Sequence, residues 1–236
     1  MRNQKQLVSI IMNCYNGEKF IKKSVYSIIS QSYKKWELVF WDNNSSDNSK
    51  NILKEFKDKR IKYFYSKKFN TLYKSRNLAI KKAKGKYICF LDVDDSWKKN
   101  RLKDQVLNLE KFGKNLNYSN YEIKNKINNK TILRKKGNLP NGLITQSLLD
   151  DYFIGIISVT INKKIFKNYK FNEKYNVIGD FDLFLRLSLK YEFNSITKVL
   201  STYNVHGKNF SDKNLGMYIV EMKHWLRRNE KLFLKF

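Results

Sequence analysis

Apolar residues fall along this chain in short blocks whose period alternates. LVSIIM (Leu7–Met12) is continuous, apolar and rich in β-branched side chains, the pattern of a buried strand. After a polar turn at Asn13–Glu18, the residues Phe20, Ile21, Val25, Ile28 and Ile29 take helical spacing. WELVFW (Trp36–Trp41) is a second buried strand. The turn Asn44–Asp47 follows, where Ser45, Ser46 or Asp47 is placed to cap a helix carrying Ile52, Leu53 and Phe56. IKYFY (Ile61–Tyr65) is a third strand, Leu72–Lys84 a helix stopped by Gly85, and YICFL (Tyr87–Leu91) a fourth strand. Trp97–Phe112 reads as the next helix, with Asp95 or Ser96 at its cap.

Strands that recur roughly every 25–30 residues with helices between them are βαβ units, and these require a parallel sheet. The predicted class is therefore α/β. Ligands of such sheets bind at the carboxyl ends of the strands. Asn13, Asp42 and Asp92 all stand at such ends and are expected to converge on one crevice. Beyond about residue 115 the pattern loosens. Leu116–Ile127, Thr131–Leu133, Ser158–Asn162 and Ile196–Tyr203 are strand candidates, and Asp180–Lys190 is a helix with Leu183, Leu187 and Phe184 inward. We divide the chain into a βαβ half (1–115), a second half of the same domain (116–212) and a basic amphipathic tail (213–236). In the tail, Ile219, Met222, Trp225 with Leu226, Leu232, Phe233 and Phe236 share a helical face beside Lys223, Arg227, Arg228, Lys231 and Lys235. Two readings fit: a terminal helix packed on the core, or an interfacial helix on an anionic membrane that the aromatic face enters.

A hydrophobic content of 42% with 15% aromatic residues, one Pro and nine Gly describes a folded chain without long linkers. The charge changes the picture more. With 48 Lys and Arg against 21 Asp and Glu, the formal net charge is +27, which attracts nucleic acid, anionic lipid or phosphorylated substrates. A Lys-, Asn- and Ile-rich composition of the kind an AT-rich coding bias produces accounts for part of the excess. A basic nucleic-acid-binding protein is the rival reading, but most aromatics lie in strands or at apolar helix positions, where a core takes them. Cys14 and Cys89 stand singly beside apolar runs, the usage of buried thiols in a reducing compartment, and no zinc spacing occurs. MRNQKQLVSIIM lacks the pattern of a signal peptide, and no apolar run approaches the roughly 20 residues of a membrane span. The expected location is cytoplasmic, with peripheral attachment to the inner face of the membrane as an extension.

Against so much positive charge, FLDVDD (residues 90–95) sets Asp92, Asp94 and Asp95 side by side at the end of the fourth strand. Like charges this close repel, and burial adds to the cost. A cap needs one acid, and Asp95 is placed to be it. An Asp-x-Asp at a strand end suits a hard divalent cation held by one or two carboxylates and by phosphate oxygens of a substrate.

YNGEKF after the first strand, DNNSSDNS after the second, SRN opening a helix and DVDD after the fourth together resemble glycosyltransferase family 2. The resemblance is dense to about residue 110. It implies a GT-A fold and an inverting transfer of sugar from a nucleoside-diphosphate sugar to a saccharide or lipid-linked acceptor in cell-surface polysaccharide or glycolipid assembly. It also implies a Mn2+ or Mg2+ cofactor. By the same resemblance Asn13, Tyr15 and Asn16 line the nucleotide with Asp42 and Asn43, where Asn43 replaces the acid usual at that position. Arg76 meets the diphosphate, Asp94 is the metal ligand, and Asp92 supports ribose or metal. Aligned on DLFLRL, Asp180 falls at the catalytic base, with Asp182 as the alternative carboxylate and Gly179 where an acid often stands. In YNVHGKNFS, His206 keeps the place of a histidine near metal or diphosphate, while Asn204 stands where Arg is common. A transferase that binds nucleotide sugar without turning it over is a further reading.

Overall fold

The computed structural model describes residues 5–233. Three of the predicted strands, β1 (Val8–Cys14), β2 (Trp36–Asp42) and β4 (Tyr87–Phe90), are buried almost along their full length, as their unbroken apolar runs require. β3 (Ile61–Tyr65) is only half-buried, because it lies at the sheet edge and lets Lys62 and Tyr65 face water. β1 pairs in parallel with β2 and β4, and β2 with β3. The connections are α1 (Ile21–Ile29), α2 (Ser49–Lys54) and α3 (Leu72–Lys82). The expected α/β class and the convergence of the strand ends both hold.

Two expectations at the joints fail for a common reason. Ser96 and Trp97 do not open a helix. They form β5, antiparallel to β9 (Asn194–Val205), and α4 (Arg101–Phe112) starts four residues later behind Asn100. Asp95 therefore caps nothing: its Oδ1 accepts the amide of Asn204 at 2.8 Å. Gly85 does not stop α3 through a left-handed turn. It is needed because a Cβ there would stand 2.6 Å from the amide nitrogen of Ser9, so the chain passes directly over β1. In both places a strand distant in sequence overrides local capping chemistry. Gly113 does end α4 in the left-handed conformation, at φ 61°.

The second half extends the same sheet with other pairings. β8 (Val159–Asn162) runs antiparallel to both β4 and β6 (Leu116–Asn125), β6 runs parallel to β9, and β7 (Thr131–Leu133) hangs from β6. Across the described residues the order is β3-β2-β1-β4-β8-β6-β9-β5. The β6–β9 register slips around Asn120, a bulge that re-aims Tyr121. α5 (Thr145–Asp150), which the sequence pattern did not announce, and α6 (Gly179–Ser188) cover this half.

The tail ends in a short turn of helix, α7 (Phe210–Lys213), and a long one, α8 (Leu215–Phe233). The face proposed to enter a membrane is split. Trp225 and Phe233 are buried against the domain, whereas Ile219 and Leu226 are exposed. The Trp225 ring packs 4.9 Å from Phe181, and its indole N–H donates to Asp182. Insertion of Trp225 or Phe233 into lipid is therefore excluded in this structure. Phe236 and Lys235 lie outside the described residues.

Candidate active site

The loops that leave β1 and β2 are sewn together. Asn16 adopts φ 51°, its amide donates to Ser45 Oγ and its side-chain oxygen accepts the Ser46 amide at 2.9 Å. Asp47 accepts the Glu18 amide, while Glu18 accepts the Asn48 amide. Asn16 thus shapes the rim instead of facing into the crevice. Asn13 differs: its side-chain nitrogen is buried with no partner, an idle donor at the end of β1. Tyr15 is exposed and meets Phe69 edge-on at 4.7 Å.

Asp42 and Asn43 are both buried and largely spent on the chain. Asp42 accepts the Ser45 amide at 2.8 Å and the Tyr63 hydroxyl at 2.7 Å. The Asn43 amide donates to the Asn70 carbonyl, and its oxygen accepts from the Asn70 amide and the Ser75 hydroxyl. An amide, with a donor and an acceptor, satisfies this corner in a way a carboxylate does not.

Ser75, Arg76 and Asn77 are consecutive in α3, so their side chains fan out by about 100° each and reach three different segments. Ser75 goes to Asn43. Asn77 clasps the Phe171 backbone in both directions and donates to Glu173. Arg76, only 2% exposed, donates to Asp92 at 2.6 Å. Burial works against its charge, but Asp92, Tyr73 and Asp180 outweigh that and hold its pKa above the ordinary value. Arg76 thereby links the acid cluster to the base candidate.

Asp94 Oδ2 lies 3.0 Å from His206 Nε2, and the His206 ring stacks on Phe20. Burial raises the Asp94 pKa, and the Asp92 charge adds to it, against the His206 hydrogen bond. Asn204, in place of arginine, donates to the Asp94 carbonyl and through its amide to Asp95, which is almost wholly buried with Oδ2 unpartnered. A carboxylate and an imidazole side by side, with buried Asp95 behind them and Asp92 paired to Arg76, are the residue types that suit a divalent cation. Mn2+ accepts such a mixed set more readily than Mg2+. Among the described residues no group of three or more His, Cys, Asp or Glu gathers as a metal cage.

The two acids of α6 part company. They stand about 200° apart around the helix. Asp182 faces inward, with Oδ2 on Arg186 at 2.7 Å and Oδ1 on the Trp225 indole. Asp180 faces α3 and accepts from the Tyr73 hydroxyl at 3.0 Å. Burial raises its pKa, with Arg76 and Tyr73 pulling the other way. The Tyr73 ring explains Gly179: a Cβ there would fall 2.5 Å from it. Sequence reasoning missed Tyr73 and also Tyr152, whose buried hydroxyl lies beside Asp180 and is held in its protonated form first by burial and then by the Asp180 charge. Tyr73 had a signal, since it sits three residues before Arg76 on one helical face. Tyr152 had none.

A family profile described as Glycosyl transferase family 2 matches residues 9–193. The UDP-Glc:alpha-D-GlcNAc-diphosphoundecaprenol beta-1,3-glucosyltransferase WfgD of Escherichia coli is 38% identical over 165 residues, 70% of this chain. That match spans 64% of WfgD, just under two thirds of its length. S. aureus TarS 1–349, solved in complex with UDP-GlcNAc, superposes with a TM-score of 0.70 at 18% identity, covering 86% of this chain and 59% of that one. The mannosyltransferase PcManGT of Pyrobaculum calidifontis, solved with GDP-Man and Mn2+, superposes at 0.67 with 14% identity over 88% and 59% of the two chains. At such identities the likeness is one of fold, the expected GT-A architecture.

Proposed function

The chain belongs to glycosyltransferase family 2, and from that premise we propose that it is an inverting, metal-assisted transferase of sugar from a nucleoside-diphosphate sugar. The observation that carries the reading is Arg76, buried between Asp92 and the field of Asp180 at the carboxyl ends of the parallel strands. A permanent cation buried there is matched to a diphosphate next to a base.

Residues 1–115 hold the donor. Asn13 offers its idle donor to the nucleotide and Tyr15 its ring, while Asn16, Asp42 and Asn43 keep the rim in shape. Arg76 positions Asp92 and faces the diphosphate with positive charge. Asp94 and His206 would hold a divalent cation, whose charge would neutralise the leaving diphosphate. Residues 116–212 supply the acceptor side. An acceptor hydroxyl attacks the anomeric carbon opposite the leaving group, and its proton passes to Asp180. The bond to the phosphate oxygen breaks, and its electron pair departs on the nucleoside diphosphate. Asp182 holds α8 against α6 and takes no part in proton transfer.

WfgD is named for UDP-Glc and a diphosphoundecaprenol-linked acceptor, and TarS was solved with UDP-GlcNAc. A UDP-hexose and a lipid-linked saccharide are accordingly the substrates to try first, in cell-surface polysaccharide assembly at the inner face of the membrane. No helix among the described residues is long and apolar enough to cross a membrane. Calorimetric titration of UDP, GDP and dTDP with and without Mn2+, followed by transfer assays with the matching sugar donors, tests the reading. Failure of every nucleoside diphosphate to bind would overturn it.

A further inference from the structure

We infer that the outward face of α8 docks the protein on an anionic membrane surface, using residues other than those the domain buries. The inner face is already committed. Trp225 is 2% exposed, and Glu221 accepts the backbone amides of Asn176, Val177 and Ile178. These contacts fix the helix and leave its other side to solvent.

That side is not the polar surface expected of a helix at the edge of a soluble domain. Leu215, Ile219 and Leu226 are 63%, 45% and 54% exposed. Their spacing of four and seven residues puts them on one stripe, in which half-buried Met222 fills the gap. Lys223, Arg227 and Lys231, spaced by four, form a second exposed stripe beside it. Glu230 is the exposed acid of the helix, since Glu221 is buried. An aliphatic stripe flanked by a basic one, on a helix lying flat, is the pattern of interfacial binding to anionic lipid.

Charge selects the occupant. A second copy docking through a two-fold axis would bring one basic stripe against the same stripe, on chains that each carry +27. Anionic headgroups present the opposite sign. Position agrees: Glu221 and Trp225 clamp α8 to the segment 176–182 that carries Asp180, so the docked helix would hold the acceptor side near the bilayer. This last point rests on the lipid-linked acceptor proposed above; the docking itself does not.

The test is co-sedimentation of the full chain with equimolar phosphatidylglycerol–phosphatidylcholine vesicles and with phosphatidylcholine vesicles, without donor or acceptor. Two variants are compared, Leu215→Ser/Ile219→Ser/Leu226→Ser and Lys223→Gln/Arg227→Gln/Lys231→Gln. All six positions are exposed, and unchanged melting curves verify folding. The expected result is binding to the anionic vesicles only. Each basic residue contributes about fivefold, so the basic variant should bind roughly a hundredfold more weakly. The aliphatic variant should also lose at least tenfold, with nucleotide binding unchanged in both. Equal binding by wild type and variants, or none by wild type, overturns the inference. A wild-type dimer in sedimentation velocity that the aliphatic variant abolishes, without vesicle binding, gives the face to a second copy and overturns it equally. Nucleotide titration on the same samples reports separately on the transferase reading.

Discussion

The parallel strands carry charge at both ends. At their carboxyl ends stand Asp42, Asp92 and Asp94, each engaged: Asp42 by Tyr63 and a backbone amide, Asp92 by Arg76, Asp94 by His206. At the amino ends of β1 and β4 a cavity of about 730 Å3 opens, lined by Lys81, Lys84 and Lys86 on one side and Lys163, Lys164 and Lys167 on the other, with Lys35 at its rim. Of these seven, Lys86 makes an ion pair, with Glu110, among the described residues. The carboxyl end spends desolvation energy on charges and compensates it with designed partners. At the amino end Lys163 is half-buried and donates to the Ala83 carbonyl, while the other six lysines are exposed, where a charge costs little and does little. That cavity makes the amino end a competing place for a site. Burial of paired charge, and the rule that ligands bind beyond the carboxyl ends of parallel strands, favour the other.

The contrast can be broken by mutation at either end. Asp180→Asn should lower turnover by about a hundredfold to ten-thousandfold while donor affinity stays within a few-fold, since a base acts in the chemical step. Steady-state kinetics beside calorimetry decide this, and an active Asp180→Asn with a dead Asp182→Asn would transfer the role to the second acid. Arg76→Ala should cost about 2–3 kcal/mol of unfolding free energy in urea titration. It removes one member of a buried pair, and the figure is kept modest because the Asp92 side chain is 31% exposed. A loss below about 0.5 kcal/mol would mean that the pairing at this end is incidental.

Asp94→Asn should weaken Mn2+-dependent nucleotide binding by about tenfold or more and leave metal-free binding intact. An unchanged Mn2+ effect in calorimetry would remove Asp94 from the cation site. The base must be ionised to work, and burial raises the Asp180 pKa, so activity should fall as pH drops through a value above the usual carboxylate range. Tyr73→Phe deletes a hydrogen bond that holds this pKa down, and should move the acid limb of the kcat profile to higher pH. A limb that stays put would show that Tyr73 is packing only. The smallest effect belongs to the amino end. Lys81→Gln with Lys84→Gln should change neither kcat nor nucleotide affinity, and stability by less than about 0.5 kcal/mol. A tenfold fall in either constant would show that the lysine cavity serves the reaction.

The hydrophobic pattern by itself determined the parallel half of this protein. Its strands β1, β2 and β4 are buried on both faces, so their apolar runs are unbroken, and local periodicity carries that information without help from distant residues. It also placed Asn13, Asp42, Asp92 and Asp94 at strand ends, and therefore near one another. What it left open was decided by partners far along the chain. Asp95 could not be separated from a helix cap, because its partner Asn204 lies 109 residues away. Asp180 and Asp182 are equivalent in a first-turn reading of α6 and differ only once Tyr73 and Trp225, 107 and 43 residues distant, pack on opposite sides of the helix. Gly179 looks like a lost acid until the Tyr73 ring is seen to fill its place. The tail's apolar residues shared one face on paper, and tertiary packing sorted them into a buried set around Trp225 and an exposed set around Ile219 and Leu226. Periodicity is a property of neighbours in sequence. Which side of an element meets which partner is set by long-range packing, and only the assembled sheet and helices supply it.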